Sequence, residues 1–191
     1  MEGVNKLNLA YIVGVALGDG NLSNPNGRAV RLRVTCDTKY PDLIKRIIKN
    51  LQTILPNNKV SIVPRNKNYL DVSCFSNKLE NLLGWKVGQG SKIKQKARAP
   101  RWIFSSKKLI RNCLKGLIET DGSIYLDRKY TMVNFITAIP ELAKDVMEMM
   151  QKLGYKPNMQ IYVAKNRENK HTIRISKNTK LFIKEINLEK S

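Results

Sequence analysis

The chain has 191 residues and is 42% hydrophobic, enough to form a core in one large domain or two small ones. Its net charge of +20, from 35 Lys and Arg against 15 Asp and Glu, favours a nucleic-acid partner over a merely soluble basic surface. One histidine and three isolated cysteines argue against a histidine-based metal site, a catalytic triad or a disulfide framework.

The N-terminus lacks the basic region of a secretion signal, and the apolar segment 9–17 is too short to cross a bilayer. Together with the cysteine usage, this predicts an intracellular protein with no membrane partner. The cytoplasm, the nucleoid and an organelle of endosymbiotic origin remain open as its location.

Two apolar, helix-like runs end in an Asp-Gly pair, at residues 12–20 and 114–122. An acid at the C-terminus of a helix faces the negative end of the helix dipole, which is unfavourable. Finding this arrangement twice suggests that Asp19 and Asp121 are retained for chemistry. The glycine after each acid is expected to end its helix in the left-handed conformation.

The second Asp-Gly follows the first by 102 residues, and further elements recur at that offset. Each predicted unit is a helix followed by two strands, an amphipathic helix, two strands and a short helix. In this alignment Thr35 is equivalent to Thr137, each ending a strand. The remaining predicted elements are strands 30–35, 60–63 and 69–73 with short helix 77–85 in the first unit, and strands 132–137, 159–163 and 172–176 with short helix 179–186 in the second.

The pattern predicts an α+β fold made of two pseudo-symmetric αββαββα units. Each unit is expected to be a four-stranded mixed sheet with its helices on one face. We place the first unit at 1–88, a basic linker at 89–105 and the second unit at 106–191. The linker is either a solvated connection or a phosphate-contacting segment.

Alternation along the strands leaves polar and basic side chains on the sheet face opposite the helices. Such side chains suit base edges and phosphates of DNA, although wet faces of ordinary sheets would look similar. Val133 and Phe135 break the alternation. The predicted DNA-binding residues are Arg31, Arg33, Ser61, Arg65, Tyr69, Asp71, Ser73, Lys92, Lys96, Tyr125, Lys129, Gln160, Tyr162, Thr172, Arg174 and Ser176.

Small residues recur every four positions in both Asp-Gly helices, which would let the two helices pack closely. These residues are Ala10, Gly14 and Gly18 in the first helix and Asn112, Gly116 and Thr120 in the second. Packing of this kind would bring Asp19 and Asp121 together. Two neighbouring carboxylates repel unless a cation lies between them, and oxygen ligands without His or Cys suit Mg²⁺.

The run Leu-Lys-Gly-Leu-Ile-Glu-Thr-Asp-Gly at 114–122 resembles the LAGLIDADG homing endonucleases, in the form that joins two motif-bearing halves in one chain. The run Ile-Val-Gly-Val-Ala-Leu-Gly-Asp-Gly at 12–20 is more degenerate, and its place in the repeat supports it. The resemblance covers about residues 7–186. It implies two sheets forming a DNA-binding saddle, motif helices at the interface, and metal bound by Asp19 and Asp121 with the carbonyls of Gly18 and Thr120.

The resemblance also implies a catalytic lysine near the scissile phosphate, and we assign it to Lys94, within the segment 92–96. The equivalent in the second half would fall near Lys190. A water-orienting glutamine that is common after the strand-ending threonine is replaced by Cys36 and Ala138. Glu119 has no acidic counterpart in the first motif, where Leu17 stands.

We therefore expect a monomeric, site-specific endonuclease that makes a staggered break in double-stranded DNA. Its metal would be Mg²⁺ or Mn²⁺, with Ca²⁺ binding but not supporting cleavage. An intron RNA maturase and a catalytically inactive DNA-binding protein of the same fold are the alternatives. Neither end shows intein splicing chemistry, so a free-standing, intron-encoded chain is expected.

Overall fold

The computed structural model describes residues 5–65, 68–165 and 167–189. The first unit contains α1 Lys6–Gly18, β1 Gly20–Ser23, β2 Arg31–Asp37, α2 Pro41–Ile54, β3 Val60–Pro64, β4 Tyr69–Phe75 and α3 Leu79–Leu83. After a 3₁₀ turn at Arg101–Ser105, the second contains α4 Lys107–Asp121, β5 Gly122–Asp127, β6 Tyr130–Thr137, α5 Pro140–Lys152, β7 Asn158–Tyr162, β8 Lys170–Ile175 and α6 Thr179–Glu185. Residues 66–67 of the predicted turn, Asn166 of the polar stretch and Lys190 lie outside the described residues.

Each unit forms one four-stranded sheet, in the orders β1-β2-β4-β3 and β5-β6-β8-β7. The α+β class is confirmed, but the expectation of mixed sheets is wrong because every strand pair is antiparallel. The crossover through α2 returns β3 in the same direction as β2. The following hairpin then inserts β4 between them, antiparallel to both.

The amphipathic helices bury the residues that share one helical face. Ile44, Ile47 and Leu51 of α2 are buried, as are Val146 and Met149 of α5. Helix α1 differs because every residue from Leu9 to Leu17 is buried, which places it in the centre of the molecule. No helix among the described residues is long and apolar enough to span a membrane.

The strand register shows that the repeat offset changes after the second motif. Gly20 pairs with Val34, whereas Gly122 pairs with Phe135. The offset between equivalent residues of the two units is therefore one residue shorter in this strand than at the motifs. The equivalent of Cys36 is therefore Thr137, and equating Thr35 with Thr137 is wrong. A tight Arg128–Lys129 turn joins β5 to β6, whereas residues 24–30 join β1 to β2. The shift also explains why Val133 and Phe135 face the helices.

The basic linker packs against the second unit. Asp145 of α5, 1% exposed, accepts hydrogen bonds from the Arg98 side chain and from the Ala99 backbone N–H. Arg101 pairs with Glu148 of the same helix at 3.1 Å. Two of the linker's positive charges, on Arg98 and Arg101, are thus paired with acids of α5. Residues 98–101 of the linker are therefore packed against α5, whereas residues 89–91 are exposed.

Candidate nucleic-acid interface and paired carboxylates

The two motif helices, α1 and α4, pack directly backbone to backbone. A Cβ on Gly14 would lie 2.9 Å from the Leu117 nitrogen and closer still to the Cys113 carbonyl oxygen. A Cβ on Gly116 would lie 2.8 Å from the Val15 nitrogen, also too close for a real Cβ. These reciprocal contacts make the helices run side by side in the same direction, with their C-termini together.

The glycine that follows the acid in each motif is required because a side chain there would clash with the preceding helix. Gly20 and Gly122 do not have positive φ, so the expected left-handed ending is wrong. Instead the chain passes straight into β1 and β5, across the last turn of its own helix. A Cβ on Gly20 would lie 2.5 Å from Ala16 Cα, and one on Gly122 would lie 2.6 Å from the Ile118 carbonyl.

The packing brings the two acid-bearing helix ends together. Asp19 is the C-cap residue of α1, directly after Gly18, and Asp121 is the last residue of α4. A Cβ on Gly18 would lie 3.4 Å from Asp121 Oδ2, so the Asp121 carboxylate lies beside the residue that precedes Asp19. The Thr120 hydroxyl donates back to the Gly116 carbonyl at 3.0 Å, which holds this last turn.

A partly buried ammonium lies against the same helix end. Lys92 Nζ donates to the carbonyl oxygens of Ala16 at 3.1 Å and Leu17 at 2.7 Å, and also to that of Gly18. Burial lowers the pKa of Lys92, while the charges of Asp121 and Asp19 act in the opposite direction. A cation is therefore already held where the negative end of the α1 dipole meets two carboxylates.

The structure separates the three lysines of the linker. Lys92, predicted to contact DNA, lies at the carboxylates, whereas Lys94, predicted to be catalytic, is exposed. The Lys94 side chain packs near Gly90. Lys96 is exposed and has a φ of 51°, in a tight turn where its N–H donates to the Ile93 carbonyl at 3.0 Å. Nothing in the sequence distinguishes Lys92 from Lys94, because this segment has no regular periodicity.

The position expected to orient water holds two different groups. Cys36 lines a cavity of about 330 Å³ together with Asp19 and Glu119. Burial, reinforced by the Asp19 charge, raises the pKa of the Cys36 thiol to about 12, so the thiol stays neutral. Its structural equivalent is Thr137, whose hydroxyl accepts from the Ile139 N–H at 3.2 Å, and Ala138 is one residue further along.

Glu119 anchors a buried polar network between the two units. It is 2% exposed and accepts a hydrogen bond from the Tyr11 hydroxyl of α1 at 2.7 Å. Arg46 of α2 approaches the same carboxylate at 3.1 Å, and Lys115 at 3.8 Å. Arg46 also pairs with Glu189. The asymmetric acid of the second motif thus ties α4 to two helices of the first unit, close to Asp121.

Most of the predicted DNA-binding residues outside the linker lie on the sheet face opposite the helices. In the first sheet Arg33 is paired with Ser73, which is also paired with Ser61. In the second sheet Gln160 is paired with Thr172. Further residues that alternation places on the outer faces are Arg31, Tyr69, Asp71, Tyr125, Tyr162 and Arg174, while Arg65, Lys129 and Ser176 follow strand ends.

Two residues on the outer face are covered, so the expectation that they are exposed is wrong. Asp71 is 3% exposed and Ser73 is 6% exposed. The Asp71 carboxylate accepts from the Thr35 hydroxyl and from Arg65 Nε, both at 2.7 Å. Arg33 Nε lies 4.0 Å away. Strand alternation predicted the face correctly, but it does not reveal that neighbouring long side chains fold over the carboxylate.

The residues at the joined helix ends fit a hard divalent cation. Two carboxylates and a backbone carbonyl are oxygen ligands of the kind that Mg²⁺ prefers. Lys92 shows that this end of α1 accepts positive charge. Within 5–65, 68–165 and 167–189, no three His, Cys, Asp or Glu side chains cluster as a metal site. Further ligands would therefore have to be backbone oxygens, water or phosphate.

Comparisons with known proteins agree with this architecture. Residues 108–188 match the family model of the LAGLIDADG-like domain, and residues 8–84 match that of the WhiA LAGLIDADG-like domain. The homing endonuclease I-DmoI, in its mesophilic variants, superposes with a TM-score of 0.68 at 19% identity, covering 95% of both chains. The N-terminal LAGLIDADG domain of DUF199/WhiA superposes with a TM-score of 0.65 at 13% identity, covering 99% of this chain and 87% of that one.

A curated relative is the tRNA-splicing ligase RtcB of Methanopyrus kandleri, 26% identical over 189 residues. The match covers 84% of this chain and 18% of the ligase, so the chain spans about a fifth of the length of that relative. I-DmoI has also been solved in complex with DNA and Mn, and that structure superposes with a TM-score of 0.66 at 19% identity, covering 95% of this chain and 96% of that one. With a motif helix and an antiparallel sheet in each half, the chain belongs to the LAGLIDADG family, in the form that carries two motifs.

Proposed function

We propose that the chain is a site-specific DNA endonuclease that hydrolyses both strands of a double-stranded target with a divalent metal ion. The observation that carries the proposal is the meeting of Asp19 and Asp121 at the joined ends of α1 and α4. Each unit contributes one sheet and one acid at the interface. This arrangement supplies one carboxylate for each strand of a DNA duplex. The fold that the chain shares with I-DmoI, a homing endonuclease solved with DNA and Ca and with DNA and Mn, supports it.

Asp19 and Asp121 would hold the metal, together with the carbonyls of Gly18 and Thr120. The metal would supply Lewis-acid stabilisation of the phosphate and acidify the attacking water. Lys92 takes over the electrostatic role that the resemblance suggested for Lys94. Its ammonium lies near both carboxylates, so it is positioned to balance the negative charge that builds on the phosphate during attack.

The outer sheet faces would bind the duplex. Lysines and arginines of the strands and turns neutralise phosphates, and the side chains that project between them reach base edges. Because one chain contains both motif helices and both sheets, a monomer suffices. Light scattering of the complex with DNA should therefore give one protein chain per duplex.

A second candidate is a DNA-binding protein of the same fold that does not cut. Two observations favour it: Lys92 donates to the Gly18 carbonyl that would ligate metal, and Cys36 stands where glutamine is common. The first unit also matches the WhiA LAGLIDADG-like domain, whose description does not mention a nuclease. An RNA maturase remains the third possibility.

Selection of bound sequences from random duplex DNA, followed by cleavage of the selected site in a supercoiled plasmid, separates the three. The proposal predicts linear product with staggered ends in Mg²⁺ or Mn²⁺, and intact bound plasmid in Ca²⁺ or EDTA. Plasmid that is bound but stays intact in Mg²⁺ and Mn²⁺ contradicts the nuclease and supports the non-cutting protein. Preference for structured RNA over every duplex contradicts both and supports the maturase.

A further inference from the structure

Three arginines on the outer sheet faces and Arg65, at the end of β3, have guanidinium Nε next to an oxygen of a nearby side chain. Arg31 Nε donates to Ser23 Oγ at 3.2 Å, and Arg65 Nε donates to Asp71 Oδ2 at 2.7 Å. Arg33 Nε lies 4.0 Å from the same Asp71 oxygen. In the second sheet Arg174 Nε donates to Asn134 Oδ1 at 3.2 Å.

This arrangement orients the arginine side chain through Nε and leaves its Nη groups able to bind a base. A guanidinium that uses Nε for an internal bond still presents its Nη groups in one plane. Those groups match O6 and N7 of guanine in the major groove. An arginine that is already oriented loses less side-chain freedom when it binds a base.

Asp71 is the centre of the arrangement in the first unit. Its carboxylate lies on the face that would meet DNA phosphates, where a negative charge opposes binding. It is 3% exposed because Arg65, Arg33 and Thr35 cover it. Arg33 Nε is itself buried without a hydrogen-bond acceptor among the described residues, so its position depends on the charge of Asp71. The negative charge of Asp71 would weaken binding to the DNA backbone. Its presence is therefore better explained by a role in orienting the two arginines.

The second unit has a weaker, neutral version of the same device. Asn134, 8% exposed, accepts from Arg174 and donates from Nδ2 to the Tyr125 hydroxyl at 3.1 Å. On the same outer face the neighbouring strand positions are Met132 and Ile136, which are apolar. The two halves of the saddle therefore present different chemistry to the two half-sites.

We infer that Asp71 is a specificity-determining positioning residue, which orients Arg33 and Arg65 to read two guanines in the half-site beneath the first sheet. The inference rests on the DNA recognition in the proposed function, and does not depend on cleavage. It makes the target asymmetric: guanine preference is strong in one half-site and weaker in the other, where Arg174 acts alone.

The test is selection of binding sites from random duplex DNA by the full chain, in EDTA so that cleavage cannot occur. The variants are Asp71→Asn, Arg65→Lys and, as a control, Asp42→Asn. Thr35 and Arg65 donate to different oxygens of Asp71, and asparagine at 71 replaces one of these oxygens with an NH2 donor and removes the charge. Lysine at 65 keeps the positive charge but loses the planar tip. Asp42 is an exposed acid on α2, on the helical side of the sheet, so its variant matches the change of charge.

Wild type and Asp42→Asn should select guanine at two or more positions of one half-site. Asp71→Asn should lower the guanine preference at those positions by about tenfold or more, and Arg65→Lys should do so at one of them. Affinity for random DNA should stay equal or rise in Asp71→Asn, because a negative charge is removed. Circular dichroism verifies folding, and if Asp71→Asn does not fold, Arg65→Lys decides.

Unchanged guanine preference in folded Asp71→Asn and Arg65→Lys overturns the inference and leaves the proposed function intact. If the wild type selects no sequence at all, both the inference and the proposed DNA recognition are overturned. A selected site that the wild type then fails to cut in Mg²⁺ contradicts only the nuclease, and the inference stands.

Discussion

Replacing Gly116 by alanine probes the contact that joins the two motif helices. The new Cβ would lie 2.8 Å from the Val15 nitrogen and closer still to the Tyr11 carbonyl oxygen, whereas ordinary contact begins at 3.4 Å. Both neighbours are backbone atoms, so no side-chain rotation can relieve the clash. The helices would have to separate by about 1 Å, a change comparable to overpacking a core, which costs about 1–3 kcal/mol.

Gly116→Ala is decisive because helix propensity and helix packing predict opposite changes in the free energy of unfolding. Helix propensity alone would make Gly116→Ala stabilising by about 1 kcal/mol. Because backbone clashes are harder to relieve than side-chain clashes, we expect a cost at the upper end of that range, so the free energy of unfolding should fall by about 1–2 kcal/mol despite this gain. Urea unfolding followed by far-ultraviolet circular dichroism gives the value. Thr53→Ala, on the exposed face of α2, is the control and should change stability by less than about 0.5 kcal/mol.

The same substitution should also affect the carboxylates, since Gly116 is five residues before Asp121. Separating α1 from α4 moves the two acids apart, so cleavage of a selected site should fall more than binding does. A stabilised Gly116→Ala protein would refute the close parallel packing of the helices. It would also remove the reason for placing the two acids in one site.

Tyr11→Phe removes the 2.7 Å hydrogen bond to buried Glu119 and should cost about 1–3 kcal/mol, measured by the urea midpoint; no loss would mean that Glu119 is held by its cations alone. Arg128 and Lys129 have φ of 46° and 73°, so Arg128→Asn with Lys129→Gly should stabilise the β5–β6 turn by about 1 kcal/mol and raise Tm; a lower Tm would contradict this. Burial raises the pKa of Asp71, but hydrogen bonds from neighbouring residues and arginine charges outweigh it and leave the pKa below its ordinary 3.8. Its stabilisation is then complete above pH 3.8 and is lost as the pH falls through the lower folded value, so the stability difference between wild type and Asp71→Asn should shrink at acid pH. A difference that is the same at pH 7 and in acid would show that the carboxylate charge contributes nothing.

The motif helices could be predicted because several kinds of signal coincide there. The apolar runs, the small residues at four-residue spacing and the Asp-Gly endings all indicate one packed pair. The strand register of the second unit could not be predicted, since the offset between Gly122 and Phe135 depends on the length of the β5–β6 turn. Sequence alignment of Thr35 with Thr137 does not reveal that one residue is missing there.

The site was less predictable where long side chains decide the outcome. Two lysines in an irregular segment, Lys92 and Lys94, have the same chemistry, and only the fold brings one of them to the α1 carbonyls. The alternation placed Asp71 on the outer face, but its burial depends on arginines from β2 and from the end of β3. Such cross-strand cover depends on side-chain conformations, which the pattern of residue types does not contain.

The central claim, that Asp19 and Asp121 direct hydrolysis of the two strands, is tested most directly by Asp19→Asn and Asp121→Asn. Each variant should be assayed on the selected site in a supercoiled plasmid with Mg²⁺, and its DNA binding should be measured in EDTA. We predict that both variants bind within about threefold of the wild type and form no linear product. Full cleavage by either variant, at the rate of the wild type, would contradict the claim.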